Sequence, residues 1–92
     1  MYVILFYDIQ NREEKERDNS RRVRKVAEKY LPRVQYSVYE GEIRPSDYRA
    51  LLGALKTECE EEHDSIVVYA FESLRYSERV VIGQDKNQTI FS

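Results

Sequence analysis

The stretch Tyr2-Val3-Ile4-Leu5-Phe6-Tyr7-Asp8-Ile9 carries apolar or aromatic side chains at every position except Asp8. Side chains along a strand alternate between the two faces of its sheet, so an unbroken apolar run puts hydrophobic groups on both. Ser65–Phe71, with Ile66-Val67-Val68-Tyr69-Ala70 inside it, repeats the pattern. A sheet built around these two strands needs cover on two sides.

Between them lie two helical patterns. Val23, Val26, Ala27, Tyr30 and Leu31 fall at i, i+3, i+4, i+7 and i+8, an amphipathic stripe that Pro32 ends. The polar run Asn11–Ser20 reads as a loop leading into this helix, with Asn19 or Ser20 as N-cap. Pro45-Ser46-Asp47 opens a second helix with Tyr48, Leu51, Leu52 and Leu55 on one side. From Arg33 to Ile43, Val34, Tyr36 and Val38 alternate with Gln35, Ser37 and Tyr39, the period of a strand in which Gly41 allows a break. Arg79–Ile82 reads as a further short strand and Gln88–Phe91 as a last one.

The order β-α-β-α-β-β, with both helices available for one face, describes a ferredoxin-like α/β sandwich, with residues 1–92 as a single domain. Two helices cover one face of a sheet. The other calls for cover from outside the domain, most economically a second copy related by a two-fold axis, so a homodimer is expected.

The 92 residues carry a net charge of −2 and one cysteine, Cys59, which excludes an intrachain disulfide or a cysteine metal cluster. No run nears the roughly 20 apolar residues that span a bilayer. The N-terminus lacks the basic segment and small-residue cleavage site of a secretion signal, so no membrane partner and a cytoplasmic location are expected. Charge is unevenly spread. Between Ser20 and Arg33 stand Arg21, Arg22, Arg24, Lys25, Lys29 and Arg33 against Glu28 alone, whereas Glu58–Asp64 holds five acids and no Lys or Arg. Such asymmetry can give one surface of an acidic protein a local positive field, an ordinary solvated helix face being the alternative.

Asp8 is the most informative candidate for chemistry. It closes an apolar strand, where a carboxylate costs burial energy unless paired or coordinated. Across a two-fold sheet interface two Asp8 carboxylates would repel, and a bound Mg²⁺ or Mn²⁺ relieves that repulsion and activates water for phosphodiester hydrolysis. A plain turn cap at a strand end is the alternative. His63, the single histidine, reads as an exposed helix end. The chain offers no Ser/His/Asp or Cys/His arrangement and no glycine-rich phosphate loop. The basic segment with Tyr30, Tyr36 and Tyr39 nearby could serve phosphate contacts with aromatic support. Tyr30 lies on the helix stripe and reads as core, whereas Tyr39, on the side of Gln35 and Ser37, is freer to contact a ligand.

Three segments taken together resemble one family: the strand ending Tyr7-Asp8-Ile9, the basic helix Arg21-Arg22-Val23-Arg24-Lys25-Val26-Ala27, and Arg33-Val34-Gln35-Tyr36-Ser37-Val38-Tyr39-Glu40-Gly41. With Asp64-Ser65-Ile66-Val67-Val68-Tyr69 and Val81-Ile82-Gly83 they are similar, along the whole chain, to the second family of CRISPR-associated proteins. The resemblance implies a ferredoxin-like βαββαβ homodimer with an extra C-terminal strand, residues from about 79 to 92 packing on the partner subunit. It implies a spacer-acquisition subunit that bridges dimers of the CRISPR integrase and holds duplex DNA. It also implies Mg²⁺-dependent nuclease activity on single-stranded RNA or duplex DNA, with Asp8 as catalytic residue and metal ligand. Tyr7, Arg21, Arg22, Arg24, Lys25, Arg33 and Tyr39 then fall on the nucleic-acid-binding positions. Tyr39 replaces the usual Phe, and the junction Tyr30-Leu31-Pro32-Arg33 lacks the usual Gly, which leaves open which helix cation fills each position. A purely structural DNA-binding adaptor and a related ferredoxin-like toxin ribonuclease are the alternatives.

Overall fold

The computed structural model describes residues 1–9, 14–59, 64–73, 75 and 77–83. Its elements are β1 (Tyr2–Ile9), α1 (Glu14–Tyr30), β2 (Arg33–Gln35), β3 (Val38–Glu42), α2 (Pro45–Glu58) and β4 (Asp64–Phe71). The strands form one sheet in the order β2-β3-β1-β4, each neighbouring pair antiparallel, with α1 and α2 packed together on one side. This is the ferredoxin-like βαββαβ arrangement. No described helix is long and apolar enough to cross a membrane.

The core lies between helices and sheet. Val3, Leu5 and Tyr7 of β1 and Tyr39 of β3 meet Val23, Ala27 and Leu31 of α1 and Leu51 and Leu55 of α2. Ile66 and Val68 of β4 join its margin. The alternate residues point the other way: register sets Ile4 between Glu40 and Tyr69, and Phe6 between Val38 and Val67. No described helix covers that second face. Phe6, Val67, Tyr69 and Phe71 stay exposed on it, Tyr69 by 54 %, and Phe6 and Tyr69 meet edge to face at 6.0 Å.

Three sequence expectations change. Arg33–Ile43 is not one strand but a hairpin turning at Tyr36-Ser37. A period of two runs through a two-residue turn without a visible break, so alternation alone conceals the reversal. The turn also reverses the expectation for Tyr39. Gln35 and Ser37 sit at the hairpin end, where polarity reflects the turn, while Tyr39 stands opposite Leu5 in the core, fully buried. Secondly, α1 begins at Glu14 rather than near Ser20. Glu, Lys and Arg are good helix formers, but the first two turns lack the apolar stripe that announces a helix. Thirdly, Arg79–Ile82 makes no strand within this chain. Gln88–Phe91 and His63 lie outside the described residues.

The Tyr39 hydroxyl donates to Glu28 Oε1 at 3.4 Å. Its ring stacks on Tyr7, 6.0 Å between centroids. Burial, then the neighbouring Tyr7 and Glu28, pushes its pKa well above the ordinary 10.0. A proton held more tightly in the folded state stabilises fully below the unfolded value and is lost as pH climbs through and past 10. In thermal melts across the alkaline range, wild type should therefore lose stability above about pH 10 more steeply than Tyr39→Phe. Parallel curves would show that Tyr39 ionises as freely folded as unfolded.

Candidate nucleic-acid interface

The end of the sheet at which β1 finishes gathers half of the residues singled out by sequence. Main-chain pairing sets Asp8 beside Ser65, on the uncovered face with Phe6 and Ile4, and its side chain is exposed. Tyr7 points into the core, but its N–H donates to the Ser37 carbonyl at 3.1 Å and its hydroxyl to the Tyr36 carbonyl at 3.5 Å. The β2–β3 turn is thereby fastened to the strand end that carries Asp8. Tyr36 stands out from that turn, 67 % exposed. The guanidinium carbon of Arg33 lies 5.1 Å from its ring centroid, and that of Arg24, reaching across from α1, lies 5.7 Å away. Both distances fall within the cation–π range of about 6 Å.

The remaining basic residues separate. Arg22 turns toward α2, its Nε 3.3 Å from Glu58 Oε2, so one member of the basic run is taken up in tying the helices together. Arg21 and Lys25 are exposed on α1. The structure thus groups Tyr7, Asp8, Arg24 and Arg33 at one end of the sheet, while Arg22 and the Tyr39 ring are engaged elsewhere. Tyr36, named from sequence only as an aromatic near the basic segment, is not among the predicted site residues. Its signal was present: an aromatic in a polar turn just after a basic segment has no core to fill.

A second group occupies the uncovered face. Glu40 opposes Ile4 and is 8 % exposed, and Arg79 Nε meets its Oε1 at 2.5 Å. Residues Glu78–Val81 run past the face formed by Ile4, Phe6, Val38 and Glu40, leaving a groove of about 620 Å³. The Tyr2 hydroxyl is buried nearby, and burial, reinforced by the negative Glu40, drives its pKa upward. Among the described residues no group of three or more His, Cys, Asp or Glu side chains could hold a metal ion.

A four-stranded antiparallel sheet, helices on one side, with a bare apolar face and an acidic strand end beside a turn whose tyrosine meets two arginines, defines a ferredoxin-like domain. The family model described as "CRISPR associated protein Cas2" matches residues 1–79. The chain belongs to the Cas2 family. It is 38 % identical over 91 residues to the CRISPR-associated endoribonuclease Cas2 of Dictyoglomus turgidum, covering 96 % of this chain and 94 % of that protein. With the endoribonuclease of the same name from Thermotoga maritima it shares 32 % identity, covering 99 % and 98 % of the two chains. The crystal structure of Streptococcus pyogenes Cas2 superposes with a TM-score of 0.72 at 27 % identity, over 88 % of this chain and 99 % of that one. A second Cas2 crystal structure gives 0.75 at 33 % identity, over 95 % and 91 %.

Removing Arg79 leaves the Glu40 carboxylate on a largely buried face without its cation. Arg79→Ala is expected to cost about 1–3 kcal/mol in chemical denaturation and to speed hydrogen exchange across residues 77–83. Unchanged exchange there would mean that the ion pair does not hold the segment down.

Proposed function

We propose that the chain is a cytoplasmic CRISPR subunit that works as a homodimer and cleaves single-stranded RNA through Asp8. The observation that carries this reading is the exposed Asp8 carboxylate on the same face as Phe6, the face that the helices leave bare. Two copies packed bare face to bare face bury Ile4, Phe6, Val67, Tyr69 and Phe71, and each such side chain fully buried contributes about 1.5–3 kcal/mol. The same packing draws the two Asp8 carboxylates toward the two-fold axis. Within one chain Asp8 is half a metal site; paired, the two carboxylates supply the hard oxygen ligands that Mg²⁺ or Mn²⁺ takes. When bound, such an ion lowers the pKa of a coordinated water and offsets charge on the phosphodiester. The chain's own part is to hold Asp8 on a rigid strand end and to set Arg24 and Arg33 toward the phosphate. The printed names of the relatives support RNA as substrate. The outer edge of β4 pairs with no described strand and Ile82 is 97 % exposed, and both suit contact with a partner subunit.

A second reading is a non-catalytic adaptor that grips duplex DNA and bridges the CRISPR integrase. One carboxylate per chain and no three-ligand group among the described residues favour it.

Sedimentation should give a dimer at micromolar concentration; a stable lone subunit would remove the shared site. In an assay with Mg²⁺ and single-stranded RNA, Asp8→Asn should reduce cleavage to background while leaving RNA binding intact. Cleavage that survives the change assigns hydrolysis to other groups, and an inert wild type that retains duplex DNA favours the adaptor.

A further inference from the structure

We propose that Tyr36 is a positioning residue, its ring fixing the guanidinium groups of Arg24 and Arg33 as one two-cation site for a phosphodiester of single-stranded RNA. The inference rests on the nucleic-acid reading above and adds to it the residue that builds the phosphate site.

The two cations come from different elements, Arg24 from α1 and Arg33 from the first position of β2. Like charges repel when brought together, and long flexible side chains lose entropy when held. Something must offset both costs, and Tyr36 is the group that both arginines share. The negative face of an aromatic ring attracts a guanidinium, most strongly where water is partly excluded. Both side chains are held rather than adrift. Arg33 Nε donates to the Gln35 carbonyl at 3.4 Å, and Arg24 Nε is buried with no hydrogen-bond partner among the described residues. Among the described residues neither arginine forms an ion pair with a carboxylate, in contrast to Arg22. Their charge is left to an external anion.

The ring itself is anchored from behind. Tyr7 holds the carbonyls of Tyr36 and Ser37, so the turn cannot swing away from β1 without breaking two hydrogen bonds. A recess of about 220 Å³ lined by Arg33, Val34, Gln35 and Tyr36 opens beside the ring. Two guanidinium groups held at one ring suit the oxygens of a phosphodiester, which they engage through paired N–H donors. A ring 67 % exposed on a turn contributes little to the core, so its replacement should spare the fold.

The test is fluorescence anisotropy of a short labelled oligouridylate in the absence of divalent metal, over a range of KCl concentrations. Tyr36→Phe keeps the ring face and should bind as wild type does. Tyr36→Ala should weaken binding about fivefold and flatten the plot of log K against log salt by about 0.7, the share of one neutralised phosphate on a single strand. Tyr36→Leu preserves apolar bulk without the π face and should behave like Tyr36→Ala, which keeps the test decisive if the alanine variant folds poorly. In the background Arg24→Gln plus Arg33→Gln, Tyr36→Ala should have no further effect. A wild-type slope in Tyr36→Leu, while the double arginine variant is flattened, overturns this inference and leaves the nucleic-acid reading standing. Absence of salt-dependent binding by the wild type overturns both.

Discussion

Two helices of 17 and 14 residues can lie against one side of a four-stranded sheet, and both the central strand β1 and the outer strand β4 are apolar on two faces. The hydrophobic effect favours burial without direction, so the fold of one chain leaves part of that stabilisation unrealised. Every other feature follows from which side each residue takes. Val3, Leu5 and Tyr7 go inward and set the core; Ile4, Phe6 and Asp8 go outward onto the uncovered face. A shift of one residue in β1 would exchange the two sets. The register with β3 and β4 is therefore what sets Asp8 on the uncovered face, and core packing enforces that register.

The uncovered face is not uniformly greasy. Glu40 stands in its middle with Arg79 across it and the Tyr2 hydroxyl buried close by. An ion pair in such a setting contributes less to stability than apolar groups of the same size would, because desolvation offsets its attraction. Its effect is on specificity. A carboxylate at that point accepts one arrangement of the C-terminal segment, the one that brings a guanidinium to it, and penalises those that leave it alone. An otherwise featureless hydrophobic surface thus acquires a defined orientation for Glu78–Val81.

Strand and helix identities were legible because their periods are strong and their ends are marked. The β1 and β4 runs, the α1 stripe and the Pro45 start all appear where the pattern sets them. The uncovered second face was legible too, from the excess of apolar strand over available helix. What could not be read was anything carried by a turn. The reversal at Tyr36-Ser37 hides within an unbroken alternation, and with it went the orientation of Tyr39 and the significance of Tyr36. Charge partners were equally hidden. Arg22 and Arg24 are two residues apart in sequence, but a helix rotates about 200° over that interval, sending one toward Glu58 and the other toward the hairpin.

That rotation bears on how an acidic protein can handle a polyanion. The net charge of −2 offers no general attraction, and at physiological salt charges beyond about 8 Å are largely screened. Recognition must then come from the few cations that stand close to the nucleic acid and are not already neutralised. Glu58, at the end of α2, draws Arg22 into the helix layer, and the Tyr36 ring gathers Arg24 and Arg33 without neutralising them. An aromatic partner and a carboxylate both hold a guanidinium in position, but only the aromatic leaves its full charge available. On the proposed reading, one tyrosine in a turn joins two cations of different elements into a positive site at the sheet end that carries Asp8.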